Sequence, residues 1–140
     1  MKKITAVLGI SASTAILFAA ALFLRVEAGG QEGSARRSAL LAQKAEVESA
    51  LAQSGQDAEL WRKLGLLNQH LGEPQQALAA FRKVVELLPE DSAGWFMLGL
   101  TYEKVGDRSS AADAWEKCLR FAANEKARET ARRHLARLRP

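Results

Sequence analysis

The chain has 140 residues with 48% hydrophobic and 26% charged residues, a formal net charge of +4 and one cysteine. That length allows one domain and an appendage. A lone Cys118 with two separated histidines, His70 and His134, excludes an intramolecular disulfide and leaves no set of ligands for a metal or of partners for nucleophilic catalysis.

At the N-terminus, residues 4–24 carry no charge and come directly after Lys2 and Lys3. As a helix the run would reach roughly 31 Å at ~1.5 Å per residue, about the thickness of a bilayer core. The leading lysines hold the N-terminus in the cytoplasm and send the chain beyond Leu24 across the membrane. Two readings stay open for residues 1–28. The full length of the run suits an uncleaved signal-anchor. Its strongest apolar stretch, Ala15 to Leu24, is short, and Val26-Glu27-Ala28 before Gly29 resembles a cleavage site, which suits a signal peptide. The expected location is the inner membrane with the C-terminal domain facing the periplasm, or the soluble periplasm after cleavage. Residues 29–33 (Gly-Gly-Gln-Glu-Gly) are expected to form a flexible linker.

Residues 34–54 read as a leading helix with Leu40, Val47 and Leu51 on one side. Beyond it, a 34-residue offset pairs Trp61 with Trp95, Leu64 with Leu98, Gly65 with Gly99, Gly72 with Gly106, Ala77 with Ala111 and Phe81 with Trp115. Apolar residues recur at helical spacing over Ala58–Leu71 and Pro74–Leu87, bounded by Asp57 as an N-cap and Gly72 as a stop. Pro74 falls in a first turn, where its missing N–H costs nothing. Asp91 or Ser92 can cap the next helix, and Gly106-Asp107 ends it and starts its partner. Gly65 and Gly99 lie inside helices, at a cost of roughly 0.5–1 kcal/mol each relative to Ala. The small Ala77 and Ala111 on the partner helices supply a reason, close approach of two backbones, with Trp61, Phe81, Trp95 and Trp115 filling the volume beside each contact. Residues 124–139 read as a polar capping helix, with Lys126, Arg128, Arg132, Arg133, Arg137 and Arg139 against Glu125 and Glu129. Cys118 falls in an apolar stripe as a small hydrophobe.

The period, with Trp-x2-Leu-Gly, then Ala-x3-aromatic, then Pro, resembles the tetratricopeptide repeat. Asn68 replaces the expected Tyr in the first repeat, and Ala123 stands where the second should have Pro. The resemblance implies an all-α solenoid. It would hold repeat 1 over 58–91 and repeat 2 over 92–123, with the leading and capping helices, after an N-terminal hydrophobic helix. It also implies that the first helix of each pair lines a concave surface that binds polypeptide. Glu59, Arg62, Leu66, Gln69 and His70 would contribute from repeat 1, and Phe96, Met97, Leu100, Glu103 and Lys104 from repeat 2. An apolar centre with a charged rim suits an amphipathic or extended peptide; the other reading is that the leading helix, or a second copy of the chain, covers these residues. The subtype that grips chaperone C-terminal carboxylates needs Asn where Leu66 and Met97 stand, so that partner is not expected.

The expected function is therefore a protein–protein interaction adaptor of the bacterial cell envelope, without enzymatic chemistry or cofactors. Its partners would be polypeptides, subunits of a membrane complex among them, and residues 4–24 would meet the membrane if uncleaved. Val47-Glu48-Ser49-Ala50-Leu51 with Glu59-Leu60-Trp61 and Leu64-Gly65 beyond it is similar to the repeat subunits of c-type cytochrome biogenesis, which hold apocytochrome segments. A pilus or outer-membrane assembly factor and a self-associating structural protein are the alternatives. The basic C-terminal region has no aromatic residue to stack bases, so nucleic acid is not an expected partner.

Overall fold

The computed structural model describes the backbone of residues 12–138 and the side chains of residues 31–138. Among the described residues it contains six helices and no strand: α1 (Ala12–Gln53), α2 (Ala58–Leu71), α3 (Pro74–Leu87), α4 (Ser92–Val105), α5 (Arg108–Phe121) and α6 (Glu125–Leu138). Residues 4–11 of the expected anchor or signal segment and Arg139 of the expected capping helix lie outside the described residues. Among the described residues no helix is long and apolar enough to cross a membrane. The chain divides into Met1–Ser38 and Ala39–Pro140.

Residues 29–33 correct the sequence reading, because α1 runs through them without a break. Each glycine costs a helix up to about 1 kcal/mol. Interrupting the helix would instead require a second nucleation, which is the unfavourable step of helix formation, whereas propagation through a short weak stretch is cheap.

The two repeats are built from the same local chemistry. Asp57 and Asp91 each cap a helix, their carboxylates accepting from the backbone N–H groups two and three residues on. Gly72 and Gly106 end those helices in the left-handed region, at φ 77° and 83°, where a side chain would be strained. At each, the glycine N–H and the next residue's N–H turn back onto the final carbonyls of the helix. Asp107 caps α5 and Asn124 caps α6. The Trp61 indole donates to the Gly55 carbonyl and the Trp95 indole to the Pro89 carbonyl, each six residues back and at 2.8 Å.

Three apolar clusters succeed one another along residues 39–138. The first joins Val47 and Leu51 of α1 to Leu64, Leu67 and Ala80. Ala77, Leu78, Phe81, Val85, Leu98 and Ala114 form the second, and Ala111, Trp115, Cys118, Ala131 and Leu135 the third. The C-terminal end of α1 thus acts as the half-repeat expected of the leading helix. Burial raises the Cys118 pKa, which disfavours the reactive thiolate.

The reason for the internal glycines differs in one respect from the sequence reading. What stands over them is the aromatic ring of the partner helix rather than its alanine. A methyl group on Gly65 would lie 2.6 Å from Phe81 Cδ1, and one on Gly99 would lie 2.7 Å from Trp115 Cε2. Asn68, the departure from the repeat pattern, is buried with its Oδ1 unpartnered. An unsatisfied group of this kind costs about 1–3 kcal/mol.

Candidate interaction surface

Helices α2 and α4 are first helices of successive hairpins, and two polar links hold them to each other. Gln69 Nε2 donates to Thr101 Oγ1 at 2.8 Å, and Thr101 passes the bond on to the Met97 carbonyl. Arg62 Nη2 meets Asp91 Oδ2 at 2.9 Å and also binds Glu59. Burial works against the Arg62 charge, but its bonds to Glu59 and Asp91 outweigh that penalty, and its pKa is raised. Asp91 therefore serves two purposes: it caps α4 and anchors α2.

Helix α6 is tied to α4 in a similar way. Glu103 Oε1 accepts from the Trp115 indole at 2.7 Å and lies 2.6 Å from His134 Nδ1. The His134 ring stacks on Trp115 with centroids 4.0 Å apart, and Arg137 reaches Glu103 Oε2 at 3.8 Å.

These bonds sort the residues expected on the binding face. Gln69 Nε2, Glu103 and the Nε and Nη2 of Arg62 brace the helices through internal partners, while Arg62 Nη1 is buried without one. Leu66 and Met97 are half-buried against the second apolar cluster, and Phe96 and Leu100 against the third. Phe96 also meets Trp115 edge-on at 5.2 Å. His70 and Lys104 are exposed. Lys63, exposed and absent from the expected set, shares a line with Leu66 and His70, since residues at i, i+3 and i+7 lie on one helix face. That spacing was the signal for it in the sequence. On α4, Phe96, Leu100 and Lys104 form the matching line at i, i+4 and i+8.

The resulting surface has partly exposed apolar side chains at its centre and lysines at its edges. Its carboxylates, Glu59, Asp91 and Glu103, are all engaged by arginine or histidine. Lys63 and Lys104 are in no ion pair among the described residues. Fixed positive charge is thus left over on this face.

Family models described as tetratricopeptide repeat match residues 58–91 and 92–125. The TPR repeat-containing protein PA0015 of Pseudomonas aeruginosa is 35% identical over 77 residues, covering 55% of this chain and 73% of that protein. Tetratricopeptide repeat protein 37 of Xenopus laevis is 42% identical over 53 residues, but the match spans only 3% of its length. Among solved structures, PcrH of Pseudomonas aeruginosa in complex with the chaperone binding region of PopD superposes with a TM-score of 0.65 at 19% identity, covering 93% of this chain and 94% of that one. That likeness is one of fold.

Proposed function

This chain belongs to the tetratricopeptide repeat family, and we propose that it is an interaction adaptor whose α2–α4 face holds a partner polypeptide bearing apolar residues flanked by acidic ones. The observation that carries the reading is the apolar stripe of Leu66, Phe96, Met97 and Leu100, set between lysines that have no carboxylate of their own. Half-buried apolar side chains gain from further burial at about 25 cal/mol per Å². The unpaired lysines select against basic segments and favour acidic ones. PcrH, whose fold this chain shares, is seen with a segment of PopD, which supports a polypeptide ligand.

The test is affinity capture from detergent-solubilised membranes with the full tagged chain and its Lys63→Glu/Lys104→Glu variant. Both positions are exposed, so the substitutions should change stability by no more than about 0.5 kcal/mol each. The variant is expected to lose the polypeptides that the native chain retains, and the native capture should weaken with salt. Retention of the same set by the charge-reversed variant would refute the assignment. Phe96 and Leu100 are poorer probes, since both pack on the cluster around Trp115.

We further propose that the domain stands on the outer side of a bacterial cytoplasmic membrane. The support is Lys2 and Lys3 ahead of the apolar residues 4–24. Protease added to intact spheroplasts should digest the domain, and complete protection would count against export.

A further inference from the structure

A second recess lies on a different face of α4. A cleft of about 220 Å³ opens between α3 and α5. Its floor is the buried Val85, Leu98 and Ala114, and Trp95 and Tyr102 stand beside them. Leu98 and Leu100 are about 200° apart around the helix, so this cleft and the apolar stripe do not share a surface.

Two cations flank the aromatic rings. Lys117 Nζ sits 4.2 Å from the centroid of the Trp95 ring, and Arg82 lies 5.6 Å from that of Tyr102 while donating to its hydroxyl at 3.0 Å. Residues 82 and 117 are separated by one residue more than the repeat length, which places them at nearly the same level on equivalent helices, α3 and α5. Neither is in an ion pair among the described residues. Two acids also line the cleft, each one helical turn from this level, and the Arg82 charge acts on Asp107 as well. Asp113 is one turn before Lys117, and Glu86 is one turn after Arg82 and bound to Lys83 at 2.6 Å.

Like charges on facing walls repel unless an anion comes between them, and each can offer it a charge-assisted hydrogen bond. The acidic residues beyond that level disfavour an extended polyanion and leave room for a single negative group. The volume is below the ~300–1,000 Å³ typical of small-molecule pockets and fits one large side chain. We propose that the α3–α5 cleft is a second docking point, which receives one large apolar side chain of a partner polypeptide together with an adjacent carboxylate held between Arg82 and Lys117.

The experiment is a heteronuclear NMR titration of the full chain in non-ionic detergent micelles. The probes are N-acetylphenylalanine, as its carboxylate, and N-acetylphenylalaninamide. The carboxylate should shift the Trp95 indole signal with a dissociation constant on the order of 1 mM, as ligands of this size allow. The amide should bind about tenfold more weakly, which is the value of one charge-assisted contact. An Arg82→Gln/Lys117→Gln variant should lose the difference, while an unmoved Trp61 indole signal reports an intact fold. The Lys63→Glu/Lys104→Glu variant should bind the probe as the native chain does, which separates this cleft from the α2–α4 face. Equal affinity for the two probes, an unaffected Arg82/Lys117 variant, or shifts confined to the surroundings of Leu66 and Leu100 would each overturn the proposal.

Discussion

Replacing Trp115 by alanine will lower the stability of the domain by about 3–5 kcal/mol, the range found when a fully buried large aromatic side chain is deleted. Trp115 is 0% exposed and belongs to the third cluster together with Ala131 and Leu135 of α6. Its ring covers Gly99, stacks on His134 and receives the edge of Phe96, while its indole N–H is bound by Glu103. For a domain of about 100 residues the loss corresponds to a drop in thermal midpoint on the order of 20 °C. Melting measured by circular dichroism on the full chain gives the value. A Trp115→Phe variant, which keeps a ring and lacks the N–H, should lose substantially less. A fall of only a few degrees for the alanine variant would mean that α6 and α4 are not held through this ring.

The second large effect is at Gly99, and its sign depends on Trp115. Helix propensity alone favours alanine over glycine by about 1 kcal/mol. Here the added methyl group would sit 2.7 Å from Trp115 Cε2 and 2.9 Å from Cδ2. A buried indole cannot retreat by several tenths of an ångström without disturbing Phe96 and His134. Overpacking of this kind costs about 1–3 kcal/mol, so Gly99→Ala should destabilise the native chain. In the Trp115→Ala background the obstruction is gone, and the same change should become neutral or stabilising by up to about 1 kcal/mol. A double-mutant cycle reads the reversal directly. The same penalty in both backgrounds would show that the ring is not what keeps position 99 a glycine.

Much of the fold was legible because the 34-residue offset links residues whose roles are local. An Asp before a helix and a Gly after it act within one turn, so the bounds of α2 to α5 emerge closely from the sequence. The leading and capping helices were legible from their apolar faces. The glycine-containing stretch 29–33 was not, because the cooperativity of a helix already under way is a property of its neighbours on both sides. At Gly65 and Gly99 the sequence pointed to a close approach, but it named the alanine four residues before the ring that makes it.

The candidate surface was legible as a face and less so as a list. Helical spacing puts Leu66, Phe96 and Leu100 on the first helices of the two hairpins, and they remain accessible there. Spacing does not tell which polar members are already bound. Arg62 is engaged by Asp91, Gln69 by Thr101 and Glu103 by His134, partners 29 to 32 residues away in sequence. Lys63, whose charge is left unpaired, carries the same residue type as its neighbours on any surface helix, and nothing in composition singles it out.

The indole-to-carbonyl bonds that close the turns ahead of α2 and α4 bear on how such a chain changes over evolutionary time. Each turn is fastened by a tryptophan of the unit it introduces, six residues downstream, and asks of the preceding segment only a backbone carbonyl, which any residue supplies. A duplicated unit would arrive with its own fastening, and a deleted one would take its fastening with it. Duplication can therefore lengthen this surface, and deletion shorten it, in whole steps of 34 residues with each turn still fastened in the same way.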